Sequence, residues 1–198
     1  MQVFFGMVWR GLRKIASFSG RDSLGQFWMY AGAVLGLAMA SWMAVVIPTI
    51  VLSAAAMQRF AVEHPDQAEV QSGPGSYSIS IEGNHPELMP DLTGLTAAMS
   101  VIMAVVVVLL ASALVRRLHD RGKSGFWALP TFILLTSGMI LMLNLFADIG
   151  SGKEPDIRLF TVGFLNNLAY LASLVVLIVQ LVQRGSAEAN RFGDPPLP

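Results

Sequence analysis

The chain has 198 residues, 54% of them apolar and 13% charged, with a mean hydropathy of +0.60 and a formal net charge of zero. Soluble domains carry about 25% charged residues, so this balance excludes an ordinary soluble globule and places the chain in a membrane. The absence of cysteine excludes disulfides, iron–sulfur clusters and thiolate chemistry.

Residues 1–18 read as an amphipathic helix. Phe4, Phe5, Val8, Leu12 and Ile15 fall on one stripe at helical spacing, with Arg10, Arg13, Lys14 and Ser17 opposite. Such a helix either lies in the headgroup layer with its basic face towards anionic lipid, or packs its stripe on the protein's own helices. No secretory signal is read here, because Met1 to Val8 lacks a basic region and Arg10 interrupts the first apolar run. Ser19-Gly20 ends the helix.

No charged residue occurs from Trp28 to Met57, which at about 1.5 Å per residue exceeds a hydrocarbon core of about 30 Å. This is span one, 28–57, and Pro48 is expected to kink it or unwind its outer end. Residues 58–94 are acidic and interrupted by four prolines, an external loop. Within it Tyr77, Ile79 and Ile81 alternate with serines, which predicts a short strand or hairpin. His64 and His85 match no compact metal-ligand spacing and are read as solvated loop residues.

Span two, 95–115, runs into Arg116-Arg117-Leu118-His119-Asp120-Arg121-Gly122-Lys123, a stretch with four cations and one carboxylate. Span three, 126–147, leaves that turn almost at once, so the two helices form an antiparallel hairpin. Residues 148–158 form a second external loop, 159–182 the fourth span, and 183–198 a Gly- and Pro-rich cytoplasmic tail.

Charge tests this topology. With both termini inside, the inner segments hold ten cations against four carboxylates, and the outer loops three cations, Arg59, Lys153 and Arg158, against nine carboxylates. Lys and Arg are retained on the cytoplasmic side during insertion, so the partition supports an N-in, C-in, all-α four-helix bundle. No ionisable residue interrupts the spans, which argues against an ion-coupled transporter. Asn166-Asn167 in span four is read as hydrogen-bonding glue between helices.

The Gly122-Lys123-Ser124 triplet lacks the earlier glycine and strand of a phosphate loop. His119 and Asp120, adjacent on a helix, point about 100° apart and have no orienting third group. No enzyme activity, cofactor or nucleic-acid partner is therefore expected.

Three blocks carry a resemblance: Phe18-Ser19-Gly20-Arg21 through Phe27-Trp28, Arg116-Arg117-Leu118-His119-Asp120 with Lys123-Ser124-Gly125-Phe126-Trp127, and Asn190-Arg191-Phe192-Gly193-Asp194-Pro195. In their order they are similar to the signature blocks of the DUF805 family of small bacterial inner-membrane proteins, from which the chain departs at Leu24, Gln26 and Phe126. The resemblance implies fold and inner-membrane location, and no activity. The topology brings all three blocks to the inner face, where Arg21, Arg116, Arg117, His119, Asp120, Arg121, Lys123, Asn190 and Asp194 are expected to cluster between Trp28 and Trp127 as interfacial anchors. Asp120 is expected to tie the blocks together, with Asp22 beside the cluster and peripheral to it. The cluster either staples the bundle or binds anionic lipid and a partner protein. The reading that follows is an accessory or scaffold subunit binding a membrane partner and anionic lipid. The alternative is a small channel or solute carrier.

Overall fold

The computed structural model describes residues 2–83, 85–151 and 156–196. Residues 152–155, and with them Lys153 of the second external loop, lie outside the described residues, as do Met1, Asn84 and the last two residues of the tail.

Five helices dominate: α1 (Gln2–Arg13), α2 (Leu24–Glu63), α3 (Leu92–Asp120), α4 (Leu129–Gly150) and α5 (Ile157–Val182). The last four are long and apolar enough to cross a membrane, and they form an all-α membrane bundle. Neighbours in sequence are neighbours in space, α2 with α3, α3 with α4 and α4 with α5, while α1 lies on α2.

Helix α1 ends five residues before the expected boundary. Beyond Arg13 the chain turns so that the Lys14 carbonyl accepts from Ser112 Oγ at 3.0 Å and Arg116 Nη1 at 2.9 Å, and the Ser17 carbonyl also accepts from Arg116 Nη1. The Lys14 carbonyl also closes a tight turn with Ser17 N at 2.9 Å, which carries the chain off the helix axis. The apolar stripe is divided: Gly11 lies against the Tyr30 ring and Val8 packs on the core, while Phe5, Trp9 and Leu12 stay exposed.

A capping box opens α2, with Gln26 N donating to Ser23 Oγ and Ser23 N to Gln26 Oε1. Gln26 thus does local work at the position where the chain departs from the family pattern. The helix then runs unbroken through Pro48 to Glu63, so the outer loop starts at His64 rather than at residue 58. Tyr30 Oη donates to the Leu109 carbonyl at 2.9 Å, and Asp22 N to the Arg116 carbonyl at 3.2 Å. Counting equal rises along antiparallel helices from these pairs puts the start of α3 level with Ile47–Pro48. The last two fifths of α2, roughly 24 Å of helix, therefore stand beyond the bundle.

The predicted hairpin sits at that far end. Strands β1 (Ala68–Gly73) and β2 (Ser76–Ile81) pair antiparallel, Val70 opposite Ile79, and both contact α2. His64 and His85 flank the Phe60 ring, with centroids 4.6 and 4.5 Å away, and His85 places its nitrogens 3.0 Å from Glu87 Oε1 and the Glu82 carbonyl.

Buried apolar residues gather at the opposite, charged end: Phe27, Tyr30, Ala31, Ala113, Leu114, Leu118, Ala128 and Leu181. Towards the far end α3, α4 and α5 part around a cavity of about 510 Å³.

Candidate functional site

Helix α3 ends in a Schellman motif. Gly122 N donates to the His119 carbonyl at 2.9 Å and Lys123 N to the Leu118 carbonyl at 3.0 Å, with Gly122 at φ 69°, a conformation that glycine adopts without the Cβ penalty. The Gly-Lys-Ser triplet is therefore a helix stop. A one-turn 3-10 segment, Gly125–Ala128, leads into α4.

Arg116 and Arg117, adjacent on α3, diverge into two networks. Arg116 Nε donates to Asp22 Oδ2 at 2.8 Å, and its Nη1 holds the Lys14 and Ser17 carbonyls. Arg10 Nη1 lies 2.9 Å from the other Asp22 oxygen, a charge contact not aligned as a hydrogen bond. This first network ties the N-terminal segment to α3.

The second ties the C-terminal tail to α3. Asp120 Oδ1 accepts from Arg21 Nε at 3.0 Å and Nη2 at 2.9 Å, and Asp120 Oδ2 from Arg117 Nη1 at 2.6 Å. The remaining Arg21 donors reach the Ser186, Glu188 and Gly193 carbonyls. All five N–H groups of one guanidinium are thus used. Arg117 also bonds the Leu181 and Gln183 carbonyls, capping the end of α5 where orphan carbonyls carry partial negative charge.

Arg21, Asp22, Arg116, Arg117 and Asp120 are all 0–5% exposed. Three buried cations face two buried carboxylates, and the seven carbonyls supply the rest of the compensation. Such a cluster does little for net stability against an apolar core, but it is costly to break.

The other expected members surround this core. The His119 ring stacks on Phe192 at 3.8 Å and 5°, with Nδ1 3.2 Å from the Gly20 carbonyl. Asn190 Nδ2 donates to the His119 carbonyl and its Oδ1 accepts from Phe192 N, in a tight turn closed on Gly193. Arg121 Nη1 reaches the Arg184 carbonyl at 2.9 Å, and Lys123 Nζ sits 4.1 Å over the Trp127 ring. Trp28 and Trp127 are exposed at 36% and 51%. Asp194 is exposed, and the tail engages Arg21 through the Gly193 carbonyl instead.

Two residues change standing. Asp22, expected to be peripheral, is 3% exposed and anchors one of the two networks. Gly185, which the sequence reading did not single out, lies flat against Asp120: a Cβ there would meet Oδ2 at 1.9 Å.

Four apolar helices with a buried ionic staple at one end define a multi-pass membrane protein. The model of a family described as a protein of unknown function (DUF805) matches residues 15–194, so the chain belongs to that family. No curated protein and no solved structure matches.

Proposed function

We propose that this chain is a non-catalytic accessory or scaffold subunit of a bacterial inner membrane, with its charged end in the cytoplasm, where a rim of cations holds anionic lipid beside a membrane partner. The observation that carries this reading is the division of labour among the cations. Arg21, Arg116 and Arg117 are turned inward and bonded. Arg13, Lys14, Lys123, Arg184 and Arg191 remain on the rim, and among the described residues none of them pairs with a carboxylate. Arg13, Lys123 and Arg191 lie over the rings of Trp9, Trp127 and Phe192, and Trp9, Phe18, Trp28 and Trp127 are exposed beside them. Exposed aromatics beside unpaired cations suit the headgroup layer of an anionic leaflet. The non-catalytic reading is supported by His119 and Asp120, the two groups closest to acid–base chemistry, being occupied by stacking and by arginines.

Topology is tested by labelling. A cysteine at Ser76 is expected to react with an impermeant thiol reagent from outside, and one at the exposed Ala187 only after permeabilisation; the reverse pattern would end the assignment of sides. For lipid, phosphatidylglycerol is expected to raise the melting temperature above that in phosphatidylcholine. The combined Arg13→Gln, Lys123→Gln, Arg191→Gln variant should lose that increment while melting like the parent in phosphatidylcholine. An undiminished increment would remove the rim from lipid binding. Co-purification of a stoichiometric membrane partner after mild extraction tests the accessory role; saturable, solute-specific flux in liposomes would favour a carrier instead.

A further inference from the structure

The cavity between α3, α4 and α5 lies far from the ionic staple and has walls of its own kind. Met99, Met103, Met139, Met142, Phe160 and Phe164 line it together with five leucines. Its volume of about 510 Å³ falls in the range of small-molecule pockets, about 300–1,000 Å³. Flexible methionines let such a wall adapt to a mobile ligand. No Asp, Glu, Lys, Arg or His lines it.

Its polar residues sort into two kinds. Asn166 is consumed by the fold, with Oδ1 accepting from Ser137 Oγ at 2.7 Å and Nδ2 donating to the Leu134 carbonyl at 2.9 Å. The Thr96 and Ser100 hydroxyls return to carbonyls of their own helix. The amide of Asn167, an exposed side chain, and the hydroxyl of half-buried Tyr170, by contrast, bond to nothing among the described residues. Glue between helices therefore describes Asn166 alone. An unpaired amide in hydrocarbon is costly, and two such groups on one cavity wall mark where a ligand's polar atoms belong.

Depth narrows the ligand. Asp156 caps the start of α5, and Asn167 and Tyr170 lie roughly 15 and 20 Å further along the helix. The headgroup layer is only about 5–8 Å thick on each side, so with the start of α5 in that layer both groups sit below the level of a phospholipid's phosphate and esters. A molecule that reaches them must carry its polar atoms into the hydrocarbon without a charge.

We propose that this cavity binds a neutral lipid, an uncharged molecule with apolar chains and at least one carbonyl, drawn sideways from the bilayer, with the carbonyl accepting from Asn167 Nδ2 and Tyr170 Oη. The site is independent of the rim cations and of the sidedness assigned above.

The test uses the full chain in liposomes with two photoreactive probes of identical diazirine-bearing acyl chains, a diacylglycerol and a phosphatidylglycerol. Adducts are mapped on α4 and α5, and labelling of the exposed α2 residues Leu35 and Leu37 serves as the internal reference. The diacylglycerol is expected to label Met139, Met142 and Phe164 roughly tenfold more than the phosphatidylglycerol does, with both probes equal at the reference. Gly163 lines the cavity and a Cβ there meets nothing within 4 Å, so Gly163→Leu should fill the space, fold, and abolish the preference. Asn167→Leu with Tyr170→Phe should reduce it while leaving the volume open. Equal cavity labelling by both probes, or a preference that survives Gly163→Leu, would overturn the proposal.

Discussion

Asp120→Asn is expected to lower stability by about 3–5 kcal/mol, the cost of leaving a buried charge without its partner, and to drop the melting temperature in mild detergent by on the order of 10 °C. Arg21 and Arg117 share this carboxylate and are 5% and 0% exposed. The substitution leaves both among carbonyls with no counter-charge, and it turns one carboxylate oxygen into an amide that points its own donors at a guanidinium. Asp22→Asn should cost less, about 1.5–3 kcal/mol, the worth of a hydrogen bond to a charged group, because it strands one buried guanidinium, Arg116, rather than two, and Arg10 is partly exposed and can turn to water. A double variant separates pairing from a general packing defect. Arg21→Met together with Asp120→Asn removes both members of the strongest pair, and should lose less than the sum of the two single losses. If Asp120→Asn melts like the parent, water reaches these cations and the staple is a wet surface.

Fold and site were legible in the sequence to different depths. The spans were plain, because four uncharged apolar runs separated by charge admit one arrangement, and the helices fall on them within a few residues. The outer end of α2 was not, since Arg59 and Glu63 read as loop when length and composition alone decide, whereas the hairpin packs on that helical extension. Convergence of three distant blocks at one end followed from counting crossings, and in the structure Arg21 pairs with Asp120 and reaches the Gly193 carbonyl. What the sequence could not show is that carbonyls do half of the work. Lys14, Ser17, Leu181, Gln183, Ser186, Glu188 and Gly193 each contribute a main-chain oxygen to an arginine, and a backbone acceptor has no side-chain signature. Asp22 was misjudged for a related reason: an acid just past a glycine break reads as solvated, and only the turn of residues 14–17 towards α3 closes water off from it.

Gly185→Ala is expected to release the C-terminal tail while leaving the four-helix bundle folded. The added Cβ would meet Asp120 Oδ2 at 1.9 Å, Cγ at 2.5 Å and Oδ1 at 2.8 Å, distances that no rotamer relieves. Asp120 cannot retreat, because both of its oxygens are held by Arg21 and Arg117. The tail must move instead. Its shift breaks the Ser186 N to Asp120 carbonyl bond of 2.9 Å, and with it the Ser186, Glu188 and Gly193 carbonyls that Arg21 uses. Overpacking of this kind costs about 1–3 kcal/mol, less than the loss of Asp120, because the Arg21–Asp120–Arg117 contacts persist. The distinguishing readout is therefore local: trypsin should cleave after Arg184 and Arg191 much faster than in the parent, at a melting temperature reduced by only a few degrees. Gly25→Ala is the control, an exposed glycine in the first turn of α2 whose Cβ would meet nothing within 4 Å. Equally fast cleavage in the two variants would mean that the tail is already loose and that Arg21 is held by Asp120 alone, and equally slow cleavage that the tail accommodates the added Cβ and stays docked.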